Sequence, residues 1–167
     1  MALTVTHVTV TPVTKKWVIE TRPWDDPEGA ALRKEQRAEL DARYGSGDHE
    51  PGPLPSADDI DRFLVAVDPA SGVALACGAL RRLDATSAEI KRMYVVPHAR
   101  GTGVATAMLR ALEAAAVEHG WTAIRLETGT FQPDAQRFYE REGYTPIPQF
   151  GVYIGSEVSL CYARELS

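Results

Sequence analysis

At 167 residues, with 44% hydrophobic and 25% charged residues, the chain has the make-up of an ordinary globular protein and the length for a single domain with a proper core. A net charge of −5 argues against a broad basic surface for nucleic acid, and no run of about eighteen apolar residues offers a membrane span. Cys77 and Cys161 sit in apolar runs outside any CxxC pattern and read as reduced core residues, and four scattered histidines offer no metal site.

Residues 1–15, rich in Thr and Val, suit an extended arm. They lack the basic and apolar regions of a secretion signal, so cytoplasm is the expected address. Lys16–Arg22 reads as a strand. A helix over roughly Pro27–Tyr44 has acids at its start and Gly45 past its end. The stretch GSGDHEPGPLPS is loop, and Ser56 with Asp59 can open a short turn. RFLVAVD and GVALACGALRRLD form a hairpin, and Ser87–Val96 is the next strand. The loop Pro97–Thr102 leads into a helix over Gly103–His119, with Val104, Met108, Leu112, Ala115 and His119 on one face and Arg110 and Glu113 elsewhere. TAIRLET is a strand. Pro133 opens a last helix that Gly143 closes, and two strands near Val152–Ile154 and Val158–Arg164 finish the chain. Antiparallel strands followed by a β-α-β crossover give a mixed α/β domain around a central sheet.

The segment PHARGTGVATAML joins a strand to a helix. A helix start leaves backbone N–H groups unpaired at the positive end of its dipole. Gly101 and Gly103 remove side chains that would hold an anion away, and Arg100 adds a charge, so the junction can cradle a pyrophosphate. A P-loop needs GxxxxGK[ST], which is absent. A dinucleotide fingerprint would need a third glycine where Thr106 stands, although Glu127 ends the next strand about where a ribose-binding acid sits in a NAD(P)-binding fold.

The same segment resembles the GNAT N-acetyltransferase superfamily, whose R/Q-x-x-G-x-G/A signature is met by Arg100, Gly103 and Ala105. MYVVP resembles that family's fourth strand, and QPDAQRFYEREGY its second landmark, a Phe-Tyr helix followed by Gly and an aromatic. The likeness covers roughly Leu64 to Tyr144. It implies a central, largely antiparallel sheet in which parallel strands four and five splay apart, and acetyl-CoA as cosubstrate. It implies pyrophosphate contacts from the backbone of Arg100, Gly101, Thr102, Gly103, Val104 and Ala105. The pantetheine arm would run along Met93, Tyr94 and Val95, with the Val95 N–H directed at the thioester oxygen. Gln132 stands where the family often has Asn against the pantetheine amide, so that contact has a longer reach.

Acetyl transfer to an amine needs loss of the amine's proton, stabilisation of the carbonyl oxygen and, for a thiol of pKa about 8.5, a proton on the departing sulfur. Phe138 and Tyr139 are adjacent and so project about 100° apart on a helix; Phe138 can pack on the sheet while Tyr139 faces the sulfur as general acid, with Ala135 keeping that face open. Glu89, eleven positions before Arg100, has the offset of the base glutamate in histone-acetylating members of the family. A bulge near Met93–Val95 would spoil strand parity and hide the face Glu89 occupies. The base is Glu89, Glu127 or a water relay. Asp58, Asp59 and Asp61, together with Glu157, form either an acidic mouth for a cationic amine or solvated turns. Glu127 and Glu157 are the candidate substrate-binding acids, and PIPQFGVYIG walls a pocket or makes a homodimer contact. The reading is an acetyl-CoA-dependent N-acetyltransferase acting on a small-molecule or peptide amine; the alternatives are a non-catalytic acyl-CoA binder on the same scaffold and a NAD(P)-dependent oxidoreductase.

Overall fold

A computed structural model describes residues 16–167, so the expected N-terminal arm lies outside the described residues. The elements are β1 (Val18–Thr21), α1 (Pro27–Tyr44), β2 (Arg62–Val67), β3 (Ala74–Arg82), β4 (Ser87–Val95), α2 (Val104–Glu118), β5 (Ala123–Gly129), α3 (Pro133–Arg141), β6 (Thr145–Ile147) and β7 (Ser159–Glu165). They build a seven-stranded sheet in the order β1-β2-β3-β4-β5-β7-β6. β4 and β5 run parallel, joined through α2, and every other neighbouring pair is antiparallel. Among the described residues no helix is long and apolar enough to cross a membrane.

α1 starts where Asp26 accepts from the Gly29 N–H at 2.9 Å and Pro27 presets the first turn; it ends at Gly45, left-handed at φ +71°. Gly29 is buried against Phe63, whose ring a Cβ would strike, so α1 lies close over the face that carries Phe63. α2 lies over the other face. A Cβ on Gly78 would come within 2.7 Å of Leu112, so glycine lets the helix settle on β3.

The buried side of α2 is wider than its apolar spacing suggests. Leu109 and Ala116 are buried beside Val104, Met108, Leu112 and Ala115. Glu113 is buried too, contrary to its expected place away from the core face, because Arg110, Arg164 and the Tyr144 hydroxyl surround it at 2.8, 2.9 and 3.0 Å. His119, expected on the buried face, is exposed; it caps the helix end and stacks on Trp121.

Two further departures bear on the site. The strand expected at Val152–Ile154 is a single 3-10 turn, Gly151–Tyr153; the sixth strand comes earlier, at Thr145–Ile147. Gly151 takes φ +55°, which breaks an extended run and turns Tyr153 into the interior, leaving Val152 and Ile154 exposed. The bulge lies at Arg92–Met93, slightly before its expected position. Ala79 pairs with Lys91 and Cys77 with Tyr94, so two β4 residues stand opposite Gly78 alone, and Arg92 takes φ +55°. The face of Glu89 follows directly. Glu89 pairs with Arg81 on one side and Arg125 on the other, so Glu89, Lys91 and Glu127 share the face that α1 covers.

Candidate active site

Pairing between β4 and β5 stops at Ile90 and Leu126, although β4 runs on to Val95 and β5 to Gly129. The Val96 N–H donates to Leu75 O on the β3 side. Extended neighbours alternate, so Met93 and Val95 present their N–H and C=O groups to the open gap. Two side chains already use the carbonyls there: Gln36 Nε2 donates to Met93 O at 2.9 Å, and Arg100 Nε to Val95 O at 3.0 Å.

A cleft of about 350 Å³ runs from this gap between α1, α2 and α3. Its floor at one end is the glycine loop. Gly101 and Gly103 take φ +76° and +94°, and no atom of the described residues lies within 4 Å of where a Cβ would stand on Gly101. α2 has no side-chain cap at Gly103, and Ala107 N–H to Gly103 O opens its bonding ladder, leaving the N–H groups of Val104, Ala105 and Thr106 for an incoming acceptor. Every residue expected to hold the cofactor lines this cleft except Thr102, whose hydroxyl closes its own turn onto Ala99 O at 2.6 Å. The Arg100 guanidinium crosses the cleft to Glu39 of α1 at 2.7 Å. The charged rim formed by Glu39, Arg43 and Asp134, in which Arg43 joins α1 to α3 at 2.8 Å, left no local sign in the sequence.

A smaller, polar cavity of about 100 Å³ opens beyond the gap. Glu127 enters it from the end of β5, and Lys91 and Arg92 from the β4 bulge. Glu50 closes it from the loop after α1, its Oε1 2.8 Å from Lys91 and its Oε2 2.7 Å from Arg92 and 3.1 Å from Arg37. Burial alone would raise the Glu50 pKa, but the charges of Lys91 and Arg92 outweigh it and hold the carboxyl below its usual range. Glu127 has no such cluster. Burial pushes its pKa up to about 7; a hydrogen bond with Ser159 and the Lys91 charge only partly offset this, while Glu50 and Glu89 push the same way. Tyr44 stacks between His49 and Phe131 and roofs this side.

The two cavities meet. Gln36, Leu40, Met93, Gln132, Ala135 and Tyr139 line both. Tyr139 is 8% exposed, with its hydroxyl 3.5 Å from Met93 Sδ and its ring edge-on to Phe138. Burial raises its pKa well above the usual phenol, so it stays protonated.

The other expected acids lie elsewhere. Glu89 is 1% exposed beneath the small cavity, paired with Arg81 at 3.0 Å and hydrogen-bonded by the Tyr153 hydroxyl. Asp59 pairs with Arg81 at 3.1 Å, Asp61 accepts from the Arg82 N–H at 2.9 Å, and neither lines the two cavities. Asp58 and Glu157 are likewise outside both, and Glu157 is exposed.

The acetyltransferase (GNAT) domain family matches residues 59–146. The chain belongs to the GNAT acetyltransferase family. A protein of Azospirillum brasilense named IAA acetyltransferase is 35% identical over 106 residues, 63% of this chain and 68% of that one. A Klebsiella pneumoniae structure assigned as an acyl-CoA N-acyltransferase superposes with a TM-score of 0.75 at 31% identity, over 90% of this chain and 98% of that one. A GNAT family acetyltransferase from Elizabethkingia anophelis, solved with acetyl-CoA bound, shares the fold at a TM-score of 0.66 and 15% identity, over 92% of this chain and 100% of that one.

GNAT acetyltransferases use an acyl-CoA, and the large cleft suits one. Its floor offers uncapped helix amides with bare glycine in front of them, which suits a diphosphate. Its middle is an unpaired strand edge, which suits the amides of a pantetheine arm, and it opens at Tyr139 into the small polar cavity. The residues that sequence reasoning missed, Gln36, Glu50, Lys91, Arg92 and Tyr153, belong mostly to that second cavity and its floor.

Proposed function

We propose that the protein is an acetyl-CoA-dependent N-acetyltransferase that joins donor and primary-amine acceptor in one ternary complex. The observation that supports this reading is the meeting of the two cavities at Tyr139 and Met93, one a long cleft floored by the glycine loop and the other small and polar.

The backbone of Arg100, Gly101, Gly103, Val104 and Ala105 holds the diphosphate, with Thr102 contributing main chain only. Met93, Tyr94 and Val95 align the pantetheine arm along β4; Gln132 reaches it from the start of α3, and Ala135 and Phe138 wall it. Acetyl-CoA supplies an acetyl thioester at the junction. The amine nitrogen bonds to the carbonyl carbon as the carbon–sulfur bond breaks. The Val95 N–H faces the carbonyl oxygen as charge builds there. Tyr139 gives its phenolic proton to the departing sulfur. Glu127 takes the amine's proton, because a carboxyl of pKa about 7 on the acceptor side is ionised often enough to accept it and basic enough to want it. Glu89, with both oxygens engaged by Arg81 and Tyr153, is assigned to holding the cavity floor.

Isothermal titration with acetyl-CoA, CoA and NAD(P), followed by a screen of primary amines with thiol release read by a chromogenic disulfide, tests the reading. Binding of acetyl-CoA and amine-dependent thiol release are expected. Binding of NAD(P) alone, or acetyl-CoA binding with no amine acetylated, would refute it.

A further inference from the structure

Cations crowd the far wall of the acceptor cavity. Lys91 and Arg92 line it, and Arg37 stands behind them on α1. Both oxygens of Glu50 are already taken by these three groups. Glu89 lies below and is committed to Arg81 and Tyr153, with Lys91 farther off at 3.6 Å. With Arg81, Asp59 and Glu89 counted as well, the four cations Arg37, Arg81, Lys91 and Arg92 face the four carboxylates Glu50, Asp59, Glu89 and Glu127, and the balance turns positive when Glu127 is protonated. A second ammonium on the acceptor would meet Lys91 and Arg92 with no carboxylate left to receive it. An anionic group would meet N–H groups of Lys91 and Arg92 beyond those that Glu50 and Tyr153 take, in a setting of low solvent access where such pairs count.

The near wall has the opposite chemistry. Gln36 lines both cavities, and its amide orientation is fixed by its neighbour: Met93 O can only accept, so Nε2 must face it. That leaves Gln36 Oε1 buried with no hydrogen-bond partner among the described residues. An orphaned buried acceptor is costly unless a ligand donates to it. Glu127, which lines the small cavity alone, is the other acceptor. Within about 100 Å³ the cavity therefore has one orphaned acceptor, Gln36, at its junction with the cleft, and Glu127, Lys91 and Arg92 beyond it.

We infer that the acceptor is a small primary amine carrying an anionic group, a carboxylate in the simplest case, its nitrogen at Gln36 and Glu127 and its anion against Lys91 and Arg92. This rests on the N-acetyltransferase reading and narrows it. Of the two readings of Asp58, Asp59, Asp61 and Glu157, it sets aside the acidic mouth for a cationic amine, since all four stand outside the cavity.

Glycine, β-alanine and 4-aminobutyrate are compared as acceptors with their carboxamides and with diamines of matched length, rates being referred to the neutral-amine fraction at the pH used. For at least one length the carboxylate is expected to exceed both analogues at least tenfold in kcat/KM. Arg92→Gln removes the charge while keeping a polar, unbranched side chain on the same backbone; it is expected to cut kcat/KM for the carboxylate at least tenfold and bring its ratio to the amide within threefold. A carboxamide or diamine that matches or beats the carboxylate at every length overturns the inference, as does a carboxylate preference that survives Arg92→Gln. The wild-type series decides the matter alone should the variant not fold. If no amine is acetylated although acetyl-CoA binds, the acetyltransferase reading itself falls and takes this inference with it; if all amines react alike, only the inference falls.

Discussion

The Tyr139 hydroxyl stands 3.5 Å from the Met93 sulfur, and that thioether is its hydrogen-bond acceptor among the described residues. A thioether is a weak acceptor, so the phenolic proton is held loosely, at the point where the two cavities join. Met93 also lies at the β4 bulge, which turns its side chain into the junction while its carbonyl stays engaged by Gln36. A protonated donor placed there is suited to a thiolate leaving group.

Tyr139→Phe removes that proton and keeps the ring that packs on Phe138 and Tyr144. Because a thiolate leaves readily, the loss in kcat is expected at the low end for general acids, roughly 10- to 100-fold. Titration should give a CoA affinity within about twofold of wild type. An unchanged kcat with the preferred amine removes Tyr139 from the acid role.

Gly101 separates the diphosphate reading from a merely structural turn. Nothing among the described residues stands within 4 Å of its missing Cβ, so Gly101→Ala disturbs no packing there. It imposes strain at φ +76°, costing on the order of 1 kcal/mol, and puts a methyl group before the α2 amides. The expected result is a small drop in Tm and a more than tenfold weaker Kd for CoA, with pantetheine, which lacks the diphosphate, unaffected. Equal weakening for both ligands would point to a general collapse of the cleft.

The large cleft was legible because its signals are local. Positive-φ glycines sit before a helix within a few positions of each other, and Phe138 and Tyr139 are adjacent on α3, although Tyr139 is the more buried of the two and both line the cleft. The small cavity is assembled across the chain. Glu50 meets Lys91 from 41 positions away and Tyr153 meets it from 62, and neither neighbourhood announces this. Glu50 lies in a Gly- and Pro-rich stretch that reads as plain loop, and Tyr153 in an apolar tract that reads as strand until Gly151 breaks it. Glu89 could not be assigned a face before the bulge was located, because one extra residue reverses every side chain beyond it.

Tyr153 tests how far that floor matters. Its hydroxyl donates to Glu89 and accepts from Lys91 at 2.9 Å. Tyr153→Phe leaves two buried charges short of one partner each and is expected to destabilise the fold by about 1–3 kcal/mol, or roughly 2–4 °C in Tm per kcal/mol. Acetyl-CoA affinity should hold. A Tm unchanged in thermal melts would show the hydroxyl to be dispensable to the network.

Glu127 supplies the pH dependence. Its carboxyl, raised from an ordinary value of 4.5 to about 7 chiefly by burial, binds a proton more tightly in the folded protein than in the unfolded chain. The stability it contributes is therefore full below about pH 4.5 and is lost as pH rises through about 7. Glu127→Gln keeps the shape and removes the charge, so its stability should match wild type at pH 4 and exceed it at pH 8, by on the order of 3 kcal/mol at most. Activity should move the other way. In wild type, kcat/KM should rise with an apparent midpoint near 7 as the base ionises. The variant should lose that limb and climb only toward the amine's own pKa, with kcat/KM near neutrality reduced roughly 100-fold or more. A variant that keeps the limb near 7 while gaining stability at high pH would confine Glu127 to a structural role and pass the amine's proton to a water relay.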